Sequence, residues 1–88
     1  GPAFVDLMLE AFADAAVRYG IPRALALSLV SETVLGSAKL QQKTGLHPGV
    51  LKDMVCSPAG STIKGVTALE KSGFRAACMN AIETIMEQ

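Results

Sequence analysis

A run of six small residues, from Ser57 to Thr62, has the types and spacing that could bind an anion. It reads Ser-Pro-Ala-Gly-Ser-Thr and lies between two predicted helices. Small side chains let a ligand approach the backbone, and the N–H groups at the start of a helix favour a carboxylate or a phosphate. Ser57, Ser61 and Thr62 add hydroxyls beside those donors. Because Ser, Pro and Gly are also common at ordinary helix caps, both interpretations stay open at this point.

The remaining polar residues form no complete catalytic set. Cys56 and Cys78 are 22 positions apart, which is not the spacing of a zinc site, so we expect reduced thiols and no metal. His47 precedes Pro48 and is expected to cap a helix or to lie at the surface. The chain has no G-x-G-x-x-G before a helix and no H-E-x-x-H motif, and no serine has an evident histidine partner.

The composition excludes several classes of function. The 88 residues are half hydrophobic, and eight basic side chains balance eight acidic ones. This length predicts one domain. Zero net charge and few aromatic residues disfavour nucleic-acid binding. No apolar run reaches the ~20 residues that span a bilayer, so we expect no membrane segment. The first residues also lack the pattern of a signal peptide. Reduced thiols at Cys56 and Cys78 favour a cytoplasmic protein.

Hydrophobic periodicity predicts an all-α domain of five helices with no strand. The predicted ranges are 3–19, 22–43, 48–55, 62–72 and 74 to the end of the chain. Gly20 and Gly73 are placed to end helices, and Pro22 and Pro48 to begin them. In the fourth helix, Ile63 and Val66 are expected to face the core.

The second predicted helix is the longest and most apolar, with apolar residues around most of its circumference. That is much apolar surface for a small domain, so either the helices are buried on more than one face or another subunit covers them. The second explanation is the more natural one. Gly36 lies inside this helix, where glycine costs about 1 kcal/mol relative to alanine. The close approach of another helix would offset that cost. We therefore expect an intertwined homodimer with the second helix at its centre.

The segment from His47 to Glu70 reads HPGVLKDMVCSPAGSTIKGVTALE and resembles the signature of the pyrroline-5-carboxylate reductases. The resemblance includes His-Pro, the Leu-Lys-Asp step, the Ser-Pro-Gly-Gly-x-Thr-Ile loop and an apolar helix that ends in Leu-Glu. Residues 1–4, 24–40 and 73–75 also resemble the family, so the likeness covers nearly the whole chain. Ala59 departs from it where glycine is frequent, and Met54 where asparagine is frequent.

The resemblance implies that residues 1–88 are the C-terminal helical dimerisation and substrate-binding domain of a reductase. The N-terminal Rossmann domain, which would bind NADPH or NADH, is absent from this chain. In the family, hydride passes from the nicotinamide to the C=N carbon of 1-pyrroline-5-carboxylate and gives L-proline. By resemblance, Thr62 is the catalytic hydroxyl, and Ser57, Gly60, Ser61 and Thr62 bind the substrate. The chain alone is expected to be inactive, and to form a homodimer or a higher oligomer.

The alternative is a purely structural helical dimerisation module without ligand contact. It explains the apolar excess equally well. It does not explain why hydroxyls and Gly60 cluster at the start of one helix.

Overall fold

Residues 1–87 are described by the computed structural model, and within them the regular structure is entirely helical. The five helices are α1 (Pro2–Arg18), α2 (Arg23–Thr44), α3 (Pro48–Met54), α4 (Ser61–Lys71) and α5 (Phe74–Met86). The predicted all-α fold and the number of helices are confirmed. The last helix was predicted to run to the end of the chain, but it stops at Met86, and Glu87 lies just after it. Gln88 lies outside the described residues.

The ends of α1 and α2 are set by glycine and proline. α1 begins at Pro2 and ends at Arg18, one residue earlier at each end than predicted, and Gly20 follows with a φ of 101°. The sequence predicts Pro22 as the first residue of the second helix. In the structure it is the residue before the helix, because its ψ of 142° is extended. α2 ends at Thr44, one residue later than predicted, where Gly45 takes the left-handed conformation with a φ of 67°.

α3 differs from the prediction by one residue at its end, and α4 by one residue at both ends. α3 stops at Met54 because Val55 has already left helical geometry. α4 begins at Ser61 rather than Thr62 and ends at Lys71 rather than Ser72. Gly73, with a φ of 77°, separates α4 from α5 as predicted. The earlier start of α4 makes Thr62 the second residue of the helix. The first three N–H groups of the helix are therefore those of Ser61, Thr62 and Ile63.

The first of two compact units comprises Gly1–Leu46. Its helices α1 and α2 pack against each other, and each contributes one fully buried residue, Ala13 and Ala26. Asp14 and Arg23 form an ion pair of 2.6 Å between the two helices. Both side chains are exposed, so the pair contributes about 0–1 kcal/mol.

The second unit begins at His47 and contains α3, α4 and α5. α4 contacts α5, and an exposed ion pair of 2.9 Å joins Glu70 to Arg75. Ile63 and Val66, which were predicted to face the core, are half-buried, and so is Leu69. Their spacing of three residues places them on one face of α4. In the loop before the helix, Ser57, Pro58 and Ala59 are exposed.

Most large apolar side chains of the chain remain exposed. No large side chain is fully buried within the described residues. The predicted central position of α2 is therefore not reached within one chain, where Leu35, for example, keeps 68% of its surface exposed. A Cβ at Gly36 would likewise meet nothing within 4 Å. The close helix packing expected at Gly36 is therefore not provided by α1.

Candidate functional site

The loop between α3 and α4 contains a tight turn from Ser57 to Gly60. The Gly60 N–H donates a hydrogen bond of 3.1 Å to the Ser57 carbonyl oxygen. Pro58 occupies the second position of the turn, and Ala59, with a φ of 59°, occupies the third. Proline followed by a residue with positive φ is typical of a type II turn. Ala59 is the one residue other than glycine with a positive φ in the described part of the chain.

The first N–H groups of α4 are available to a ligand. Gly60 precedes the helix and has no side chain to cap it. Within residues 1–87, the N–H groups of Ser61, Thr62 and Ile63 have no hydrogen-bond partner. Three such groups at the positive end of a helix dipole favour an anion.

The available donors lie one residue further along the chain than the sequence predicted. The Gly60 N–H, expected to be one of them, is already engaged in the turn. The Ile63 N–H takes its place, and the sequence did not predict this donor. An apolar side chain gives no signal that its backbone could serve a ligand.

The turn brings the Ser57 side chain to the start of α4. A Cβ built on Gly60 would lie 2.6 Å from Ser57 Oγ, well inside van der Waals contact. Gly60 therefore leaves the space that the Ser57 hydroxyl uses. Ser57, Ser61 and Thr62 are all exposed. The structure thus places the predicted site residues in one short, open segment.

Thr62 differs from the other threonines in how its hydroxyl is used. Thr33, Thr44, Thr67 and Thr84 each donate to the carbonyl oxygen four residues earlier, at 2.7–2.9 Å. Thr62 is too close to the start of α4 to have a helical carbonyl at that distance. Its hydroxyl makes no hydrogen bond to any described residue, and it remains available to a ligand.

Among the other candidate residues, His47 has a structural role, and the contacts show no role for Cys56, Cys78 or Met54. His47 Nδ1 accepts a hydrogen bond of 2.9 Å from the Gly49 N–H, which confirms the predicted cap. Cys56 and Cys78 are free thiols, as predicted. Met54 is exposed. Among the first 87 residues, no three histidine, cysteine or acidic side chains are grouped to hold a metal, and no helix is long and apolar enough to cross a membrane.

Together these features define a class: an all-α domain with an exposed apolar surface and a hydroxyl-bearing loop at a helix start. The family described as "Pyrroline-5-carboxylate reductase dimerisation" matches residues 1–88. The chain belongs to this family, which confirms the resemblance read from the His47–Glu70 segment.

Relatives from distant organisms share most of the sequence. A pyrroline-5-carboxylate reductase of Arabidopsis thaliana is 61% identical over 82 residues, or 93% of this chain and 30% of the relative. The Escherichia coli reductase is 54% identical over 87 residues, or 99% of this chain and 32% of the relative. The chain thus spans about a third of the length of these proteins.

Solved structures agree with this placement. The pyrroline carboxylate reductase of Plasmodium falciparum, solved with NADP bound, superposes with a TM-score of 0.92 at 40% identity. That match covers 96% of this chain and 32% of the other. The reductase of Streptococcus pyogenes gives a TM-score of 0.92 at 42% identity, and covers 94% of this chain and 32% of the other.

Proposed function

We propose that this chain is the C-terminal dimerisation and substrate-binding domain of a pyrroline-5-carboxylate reductase. The complete enzyme would reduce 1-pyrroline-5-carboxylate to L-proline with NADPH or NADH, in the cytoplasm. One observation carries the proposal: three N–H groups and the Thr62 hydroxyl stand without partners at the start of α4, in a chain of this family.

The substrate carboxylate would bind at the start of α4. The N–H groups of Ser61, Thr62 and Ile63 match the charge and the small size of a carboxylate, and the helix dipole adds to the attraction. The hydroxyls of Ser57 and Ser61 would supply further hydrogen bonds. Gly60 would contribute the space that its missing side chain leaves beside Ser57.

Thr62 would act on the ring nitrogen of the substrate. When hydride adds to the imine carbon, the electron pair of the C=N bond moves to nitrogen, which takes a proton. A hydroxyl that hydrogen-bonds to this nitrogen favours the change as it develops. The Thr62 hydroxyl suits this task because no helical carbonyl competes for it.

The nicotinamide cofactor would supply the hydride. No G-x-G-x-x-G sequence that could cradle its phosphates occurs among these 88 residues. We therefore propose that a separate N-terminal domain binds most of the cofactor, and that the isolated chain is inactive. The residues derived above would bind and orient the substrate, and would assist its protonation.

A second copy of the chain would cover the exposed apolar side chains. Large apolar patches at the surface of a small protein mark association sites. The exposed leucines of α2 and the open space at Gly36 support a homodimer in which this helix packs against the partner. The purely structural module shares this dimer, so the kinetics of a Thr62 variant must separate the two proposals.

The replacement Thr62→Ala in the complete reductase tests the catalytic proposal. It removes one hydroxyl but keeps the backbone N–H groups that would hold the carboxylate. We expect kcat to fall by about 10²-fold or somewhat less, because a threonine hydroxyl is a weak acid. KM should change much less, since the hydrogen bond is used mainly in the transition state. Steady-state kinetics with 1-pyrroline-5-carboxylate measures both constants.

Two comparisons make the Thr62 test decisive. Thr62→Ser keeps the hydroxyl and should retain much of the rate. A Thr62 that does not act on the substrate would instead give Thr62→Ala a normal kcat, whatever its melting temperature. Normal turnover in this variant would contradict the catalytic role and favour the structural module.

A further inference from the structure

The left-handed backbone at Ala59 suggests a determinant of substrate binding within the proposed site. We propose that Ala59 is a positioning residue, whose conformation holds the Ser57 hydroxyl at the start of α4. This inference rests on the proposed function of the loop. It concerns a residue that offers the ligand no polar side-chain atom.

The conformation of Ala59 is unfavourable for a residue with a Cβ. Its φ of 59° lies in the left-handed region, which glycine adopts freely and other residues rarely. In a type II turn, a side chain at the third position opposes the positive φ that the turn requires. The chain therefore keeps a strained residue at this site, and a strained backbone near a ligand is often tied to function.

The strained conformation closes the turn that brings Ser57 to the helix. If residue 59 left the left-handed region, the Gly60 N–H would lose its 3.1 Å bond to the Ser57 carbonyl oxygen. The Ser57 hydroxyl would then move away from Gly60 and from the free donors of α4. Only chains with the closed turn would bind the carboxylate fully, so the apparent affinity would depend on their fraction.

A series of replacements at Ala59 in the complete reductase separates backbone conformation from side-chain bulk. Asparagine and valine have similar volumes, but asparagine tolerates positive φ and a β-branched valine does not. We expect Ala59→Asn and Ala59→Gly to keep KM for 1-pyrroline-5-carboxylate within about twofold. We expect Ala59→Val to raise it on the order of tenfold. The KM for the nicotinamide cofactor and kcat should change little in all three.

The outcomes distinguish this inference from the proposed function. Equal increases in KM for asparagine and valine would assign the effect to bulk, and would overturn the inference. An Ala59→Val enzyme with a normal KM for 1-pyrroline-5-carboxylate would also overturn the inference. Ser57→Ala and Thr62→Ala serve as references. If they change the kinetics and the Ala59 series does not, this inference alone fails. If none of the variants changes the kinetics, the proposed function fails with it.

Discussion

Gly60 illustrates how a missing side-chain atom can place a functional group. A Cβ at this position would lie 2.6 Å from Ser57 Oγ but 3.3 Å from the Ser57 carbonyl oxygen. The Ser57 hydroxyl can rotate away from the added methyl group, and the backbone near the Ser57 carbonyl oxygen needs only a small shift. We therefore expect Gly60→Ala to leave the fold nearly intact and to displace the Ser57 hydroxyl. In the complete reductase, KM for the substrate should rise by about as much as in Ser57→Ala.

A double variant checks this explanation of Gly60. If the two replacements act through the same hydroxyl, Gly60→Ala should have little further effect on KM once Ser57 is alanine. Additive increases in KM would mean that Gly60 acts independently of Ser57. Circular dichroism of the single variants would detect any loss of helix, which would argue against the small backbone shift expected here.

The sequence predicted the location of the candidate site better than its individual donors. Small residues and hydroxyls before an apolar helix indicated the segment, and the family resemblance assigned roles to Ser57 and Thr62. The positive φ of Ala59 could not be read from the sequence, because alanine seldom adopts it. The free Thr62 hydroxyl agrees with the predicted helix start, since a helix that begins at either Ser61 or Thr62 leaves Pro58, four residues earlier, outside the helix.

The short helix α3 depends on the residue before it. The carbonyl oxygen of His47 accepts from Val50 at 2.9 Å, and its Nδ1 accepts from Gly49 at 2.9 Å. We expect His47→Ala to destabilise the fold by about 1 kcal/mol, because the Gly49 N–H loses its partner. His47→Asn, a good capping residue, should retain most of the stability. Thermal melting at one fixed protein concentration compares the variants.

The magnitude of the His47 effect can be read from the melting temperature. A change of 1 kcal/mol corresponds to about 4–8 °C for a domain of this size. Melting temperatures that coincide for His47→Ala and the unaltered chain would contradict the capping role. A lower value for both His47→Ala and His47→Asn would assign the loss to the imidazole ring rather than to the cap.

The helix boundaries next to glycine and proline were predicted to within one residue. Gly20, Gly45 and Gly73 all take the positive φ that follows a helix end. Pro22 is compatible both with the first helical residue and with the residue before it, since its φ of −55° suits either. Its ψ decides between them, and ψ depends on how the chain reaches α2 rather than on proline itself.

For the whole molecule, the proposed dimer can be tested at Gly36. A Cβ there would meet nothing within 4 Å in the single chain, so we expect a leucine to leave the fold of one subunit intact. In a dimer with a helix packed on Gly36, it would overfill the interface at about 1–3 kcal/mol. We expect the dissociation constant of the dimer to rise by about 5- to 150-fold. Analytical ultracentrifugation of the chain measures it.

The same experiment on the unaltered chain tests the dimer itself. A monomer at micromolar concentration would contradict it. Gly36→Ala is the matched control, because one methyl group should weaken the dimer less than a leucine side chain. The sequence predicted the apolar excess on α2. It could not show whether the covering surface comes from the same chain or another, because periodicity reveals which face is buried but not what buries it.

The burial of only small residues, Ala13 and Ala26, between α1 and α2 has a consequence for how the protein would fold. Individual helices form from local contacts on the microsecond timescale. With two alanine side chains as its buried interior, an unpartnered subunit has little to hold those helices together. The rate-limiting step of folding would then be the encounter of two partly ordered chains. In the cell, the rate of maturation would depend on how many copies are made together, and a newly made subunit would remain vulnerable to proteases until it met another.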